Sequence, residues 1–168
     1  MSELKKGLLS VLLIGCIFSL AACDFQYGLY HSRTKKEVIS IELINYNSPD
    51  AKSNPKEEYP FDLEKLEVLE TLSSDSFEGF LAELSEIGGL AAKHKQVLNS
   101  PVGVGIKITY HDGSFAIITV TVVNEKEYVF RGEYDADSSI KWYFGIPWQD
   151  MIDDFKTLVN KYFDTQIE

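Results

Sequence analysis

Cys23 is the residue whose type and setting most clearly offer chemistry. It follows Leu20, Ala21 and Ala22 at the end of an apolar run. A cysteine thiolate is a better nucleophile near neutral pH than a serine hydroxyl. The small side chains before it suit a signal peptidase, which must bind an extended chain beside the bond that it cleaves. Cys23 is therefore a candidate site of covalent modification.

The residues before Cys23 have the order of a secretory signal peptide. Lys5 and Lys6 form a short basic region, and residues 7–22 contain no charged side chain. That apolar stretch is shorter than the ~20 residues that a helix needs to span a bilayer. A basic start, a short apolar middle and a small-residue end predict export and removal of residues 1–22.

The sequence Leu20-Ala21-Ala22-Cys23 resembles the lipobox of bacterial prolipoproteins. The resemblance covers only residues 1–23. It implies that diacylglycerol is attached to the Cys23 sulfur and that the chain is then cut between Ala22 and Cys23. The mature protein would be anchored by lipid at the cell membrane, facing outside the cytoplasm. The alternative is an ordinary cleaved signal or an uncleaved anchor with an unmodified Cys23.

Asp24 and Cys16 affect the predicted location and the thiol content of the exported protein. Asp24 follows Cys23 directly, which in enteric bacteria resembles a signal for retention at the inner membrane and in a Gram-positive cell would mean nothing. The sequence leaves both settings open. The other cysteine, Cys16, lies in the segment predicted to be removed. The mature domain is therefore expected to have no disulfide, catalytic thiol or thiolate metal site.

The charge of the chain limits its partners. The formal net charge is −10 at pH 7, which disfavours nucleic acid, because its binding depends on neutralising phosphates with Lys and Arg. The same charge disfavours broad contact with anionic lipid, so membrane attachment is expected to depend on the lipid on Cys23. Cationic partners remain open.

The remaining motifs predict no metal, cofactor or catalytic centre. The three histidines, His31, His94 and His111, have no metal-ligand spacing and are interpreted as solvated. The segment that begins at Asp135 has acids at the first and third positions of a calcium loop. Ile140 stands where that loop needs glycine, so a simple Asp/Ser turn is predicted.

Four aromatic residues form the most suggestive cluster. They fall just before and at the start of a predicted helix, and they are Trp142, Tyr143, Phe144 and Trp148. Aromatic side chains dominate protein cores, which favours burial over the sheet. Tryptophan and tyrosine also anchor interfaces, so the cluster is a candidate contact surface for a peptide, a glycan or a protein.

Two functions from different classes follow from these residues. The first, favoured by the short tether and the missing catalytic motifs, is a non-enzymatic domain that binds an envelope protein or a cell-wall component. The chain then resembles the small lipoproteins of bacteria as a class. The second is an envelope hydrolase with a carboxylate pair that assembles only in space. Perturbed acids in a pocket would support the hydrolase.

The elements that position these residues form one α+β domain. Residues 23–36 are predicted to be the lipidated cysteine and a tether, which could reach about 43 Å when fully extended. Residues 37–168 are predicted to form a mostly antiparallel sheet with two main helices on one face. Strands are expected at 37–46 and 65–72 and in a meander over 102–134, and an added strand at 142–144 is an alternative. The first helix is expected to start at a cap formed by Asp75 and Glu78, and the second is expected to have Pro147 in its first turn.

Overall fold

The computed structural model describes residues 26–30, 37–47, 63–90, 103–123, 125–146 and 148–167. They form eight strands and two α-helices, which in chain order are β1 (Gln26–Gly28), β2 (Val38–Tyr46), β3 (Leu66–Thr71), α1 (Phe77–Glu86), β4 (Gly88–Leu90), β5 (Gly103–Tyr110), β6 (Phe115–Val123), β7 (Lys126–Tyr134), β8 (Ile140–Ile146) and α2 (Gln149–Tyr162).

Six of the strands form one antiparallel sheet in the order β3-β2-β5-β6-β7-β8. The meander from β5 to β8 follows chain order because its connections are short turns. Gly113 has a φ of 80° between β5 and β6, a conformation that glycine adopts without steric cost. The predicted turn at Asp112-Gly113 and the α+β class are confirmed.

Both helices pack on one face of the sheet. The apolar stripe of α2 places Ile152, Phe155 and Val159 in the main core, where all three are buried. Helix α1 contributes Phe80 and Leu84. A helical spacing of three and four residues aligns these side chains on one side of each helix, so both apolar faces are removed from water.

The opposite face of the sheet carries a second buried cluster. Its members are Ile44, Tyr46, Phe115, Ile117 and Tyr134. The rings of Phe115 and Tyr134 are stacked, with centroids 4.9 Å apart and planes 8° from parallel. A continuous apolar strand such as β6 is typical of a sheet that is buried on both faces. The sheet is therefore the centre of two apolar layers.

The start of α1 differs from the predicted cap. A 3-10 turn, Ser74–Ser76, precedes the helix, and Ser76 rather than Asp75 occupies the cap position. No side chain makes a capping hydrogen bond there, so the predicted pairing of Asp75 with Glu78 is wrong. The 3-10 turn moves the helix start by one residue, which removes Asp75 from the position that faces the free amides.

The C-terminal segment after α2 is held against the edge strand β3. The Glu70 carboxylate accepts hydrogen bonds from the backbone amides of Asp164 and Thr165, at N···O distances of 3.0 to 3.1 Å. The amides of Thr165 and then Asp164 lower the pKa of Glu70 below its ordinary value. The charged carboxylate is thus the form that the fold prefers.

This preference predicts a pH-dependent loss of stability. A carboxyl whose folded pKa is lowered contributes stability above its unfolded pKa, and that contribution is lost as pH falls through the folded value. We expect Glu70→Gln to lower the urea midpoint at pH 7, with a smaller difference from wild type at a pH below about 4.3, the pKa of an unperturbed glutamic acid. Glu67→Gln removes the same charge from the same strand and is the control. An equal difference at both pH values would contradict the proposed role.

Candidate functional site

The predicted modification site lies next to the described structure. Ala22 and Cys23 are outside the described residues, and β1 starts at Gln26, only three positions after Cys23. Cleavage and lipid attachment therefore stay predictions. What the structure adds is the way in which residues 26–30 are held.

Residues 26–30 belong to the folded domain, which corrects the predicted tether. Strand β1 pairs antiparallel with β4, with Gln26 opposite Leu90 and Gly28 opposite Gly88. Leu29 is fully buried in the main core and Tyr30 is 8 % exposed. The error has a physical reason, because a three-residue strand is too short to show an alternating pattern.

The backbone of Leu29 is held from two sides. Its amide donates a hydrogen bond to the carbonyl of Ile87 at 2.9 Å. Its carbonyl accepts a hydrogen bond from Nη1 of Arg131. Arg131 lies on the central part of β7, on the helix-covered face that also carries Val129. One segment is thus joined to a strand that is 102 residues further along the chain.

Arg131 is a buried charge with a charged partner. Its side chain is 2 % exposed, and its Nη2 lies 2.5 Å from Oε1 of Glu133, which is 15 % exposed. Burial of an unpaired guanidinium would be costly, so the carboxylate and the carbonyl together replace the lost water. We call Arg131, Glu133 and the Leu29 carbonyl the arginine clamp.

Two tyrosines lie in the electrostatic field of the clamp. Burial raises the pKa of Tyr30, Arg131 lowers it in part, and Glu133 raises it. Burial also raises the pKa of Tyr110, and Glu133 adds to that shift. Both phenols are therefore protonated at neutral pH and can donate hydrogen bonds, but they are not bases.

The arrangement is suited to fixing a chain segment rather than to proton transfer. A guanidinium stays charged across the physiological pH range, and its planar fork can bind a carbonyl and a carboxylate simultaneously. The sequence patterns did not predict this site. The available signal was a basic residue at the centre of an otherwise apolar strand, because such a residue needs a buried partner.

The four aromatic candidates are distributed over β8 and the residue before α2. Trp142, Tyr143 and Phe144 lie on β8, the edge strand beside β7, at register positions opposite Glu133, Gly132 and Arg131. Their side chains are outside the described part of the structure, so a contact surface formed by them stays a prediction. Trp148 is partly buried and packs against the main core.

The remaining chemical candidates can be placed individually. His111 is exposed in the turn after β5, whereas His31 and His94 lie outside the described residues. The Oδ1 of Asp135 accepts hydrogen bonds from the amides of Asp137 and Ser139, which confirms the predicted Asp/Ser turn. Within the described residues, no group of three His, Cys, Asp or Glu side chains could hold a metal ion.

In the described part of the chain, neither helix has the length and apolar composition needed to cross a bilayer. No protein-family model, curated protein sequence or solved structure matches the chain. The structure itself defines a single small α+β domain whose N-terminal segment is held in the core by a buried arginine.

Proposed function

We propose that this protein is an exported bacterial lipoprotein, anchored at the cell membrane through Cys23, and that its domain binds an envelope protein or a cell-wall component without catalysis. The observation that carries the proposal is the order of basic region, apolar run and Leu20-Ala21-Ala22-Cys23 in residues 1–23. Each of these parts matches a separate step of export and lipid attachment.

Two of the described acids, Glu70 and Glu83, have a pKa shift opposite to the one that a catalytic acid needs. A carboxyl that acts as a general acid needs a raised pKa, usually from burial beside a second acid. Lys161 and Tyr162 instead lower the pKa of Glu83 by hydrogen bonding to its carboxylate. The Glu70 carboxyl is also shifted downwards, by backbone amides. Both acids join one element of the fold to another, which is a structural role.

The lipid anchor has a direct test. We expect Cys23→Ala to abolish incorporation of a labelled fatty acid and to leave an uncleaved precursor, because no sulfur remains to carry the lipid. Cys16→Ala is the matched control, since it removes the other cysteine from the same segment and should leave labelling and cleavage unchanged. Normal labelling and processing of Cys23→Ala would disprove the assignment.

The binding role needs a test in the native envelope. We expect the tagged, lipidated protein to cross-link reproducibly to an envelope protein or to wall polymer, with recovery lost when residues 38–168 are deleted. That deletion keeps the lipid signal and removes the sheet and both helices, so it separates contacts of the domain from contacts of the anchor. Recovery of the same molecules by the deleted form would contradict a binding role for the domain.

A further inference from the structure

The chain between the predicted lipid and the folded domain is very short. Only Asp24 and Phe25 separate Cys23 from the first residue of β1. Three peptide units span at most about 11 Å, compared with the about 43 Å that a free tether of residues 24–36 would allow. The sulfur that carries the lipid must therefore stay close to the surface of the domain at Gln26.

The point at which the chain enters the domain is fixed by several interactions. Strand β1 is paired with β4 along its length. The next residue, Leu29, is buried, donates its amide hydrogen to Ile87 and offers its carbonyl to Arg131. Removal of this segment would expose an apolar side chain and leave a buried guanidinium without one of its partners.

We infer that the short connection to the lipid holds one face of the domain, formed by β1, β4 and the C-terminal end of α1, against the bilayer surface. We call this face of the domain the anchor face. The inference rests on the proposed lipid at Cys23. A lipid buried in the membrane and a connection of about 11 Å together hold this face against the head groups. The domain then has one preferred orientation relative to the membrane, instead of rotating freely on a flexible tether.

The β3 edge of the sheet is far from the arginine clamp. Arg131 places Leu29 over β7, and β7 is four positions from β3 in the order of strands. At a spacing of about 4.8 Å per strand, β3 lies about 19 Å from the clamp. If the anchor face lies on the bilayer, we expect the β3 edge to be farther from the head groups than the anchor face.

A pair of single-cysteine variants tests the orientation. Glu86 is exposed at the end of α1, next to Ile87, whose carbonyl accepts the amide hydrogen of Leu29. Glu67 is exposed on β3. The mature lipoprotein has no other free thiol when lipid occupies Cys23, so a fluorophore attached to Glu86→Cys or Glu67→Cys reports one position only.

The labelled lipoproteins are incorporated into phosphatidylcholine vesicles that contain a head-group spin-labelled quencher lipid. We expect several-fold stronger quenching at Glu86→Cys than at Glu67→Cys, because contact quenching needs the label at the head groups. A Gly/Ser insertion of about twelve residues between Phe25 and Gln26 adds about 19 Å of average reach while β1 and the clamp stay intact. In that form, quenching at Glu86→Cys should fall to the level of Glu67→Cys.

The outcomes separate this inference from the proposed function. A protein that carries no lipid and leaves the vesicles overturns both. A lipidated protein with equal quenching at the two positions overturns the fixed orientation and leaves the lipid anchor in place. A difference that persists after the insertion also overturns the inference, because the short connection would then not be its cause.

Discussion

Leu29→Ala is expected to lower the free energy of unfolding by about 2–5 kcal/mol, the range for removing a buried leucine side chain from a packed core. Leu29 is fully buried and belongs to the main core together with residues of the sheet and both helices. A residue in a free tether would contribute almost nothing. The substitution therefore distinguishes a folded segment from a tether by a large margin.

The measurement is a urea denaturation of the mature chain that carries Cys23→Ser in place of the lipid. Leu63→Ala is the matched control, because the same side chain is 46 % exposed at that position. A mostly exposed leucine should change the free energy of unfolding by at most about 0.5 kcal/mol. Similar small effects for both variants would show that residues 26–30 are not part of the stable core.

Arg131→Met is the second substitution for which we expect a large effect, a loss of about 3 kcal/mol in the free energy of unfolding. Methionine fills a similar volume but donates no hydrogen bond. The Leu29 carbonyl would lose its donor, and the Glu133 carboxylate, only 15 % exposed, would lose its countercharge. An unpaired buried group is more costly than the pair itself is favourable, which makes the effect large.

Two controls give this prediction a specific readout. Lys126→Met removes a positive charge from an exposed position of the same strand and should change stability by at most about 0.5 kcal/mol. Arg131→Lys keeps the charge but lacks the planar fork, so its free energy of unfolding should lie between those of the wild type and Arg131→Met. Hydrogen exchange of the Leu29 amide should become much faster in Arg131→Met than in Lys126→Met. Unchanged exchange would contradict the role of the clamp.

The two substitutions are also expected to change how the domain is oriented at the membrane. Leu29 and Arg131 both hold the segment of residues 26–30 in place. That segment is the first described part of the fold after the predicted lipid at Cys23. If either side chain is removed, the segment can detach and the connection to the bilayer becomes longer. The stability of the N-terminal segment and the orientation of the domain are thus expected to change together.

The sequence predicted the regular elements well where their patterns are local and repeated. Alternation and β-branched residues identified β2, and the Asp112-Gly113 turn identified the β5–β6 hairpin. Apolar residues at helical spacing identified α1 and α2. These signals depend on neighbours within a few residues, so they are readable from the sequence alone.

The sequence also predicted the candidate modification site, because the proposed signal for export and lipid attachment is the order of residues 1–23. Only the tertiary structure decided what the chain after Cys23 does. The pairing of β1 with β4 and the contact of Leu29 with Arg131 join segments that are far apart in sequence. No local pattern encodes such a contact, since it exists only after the helices and the sheet have brought the two segments together.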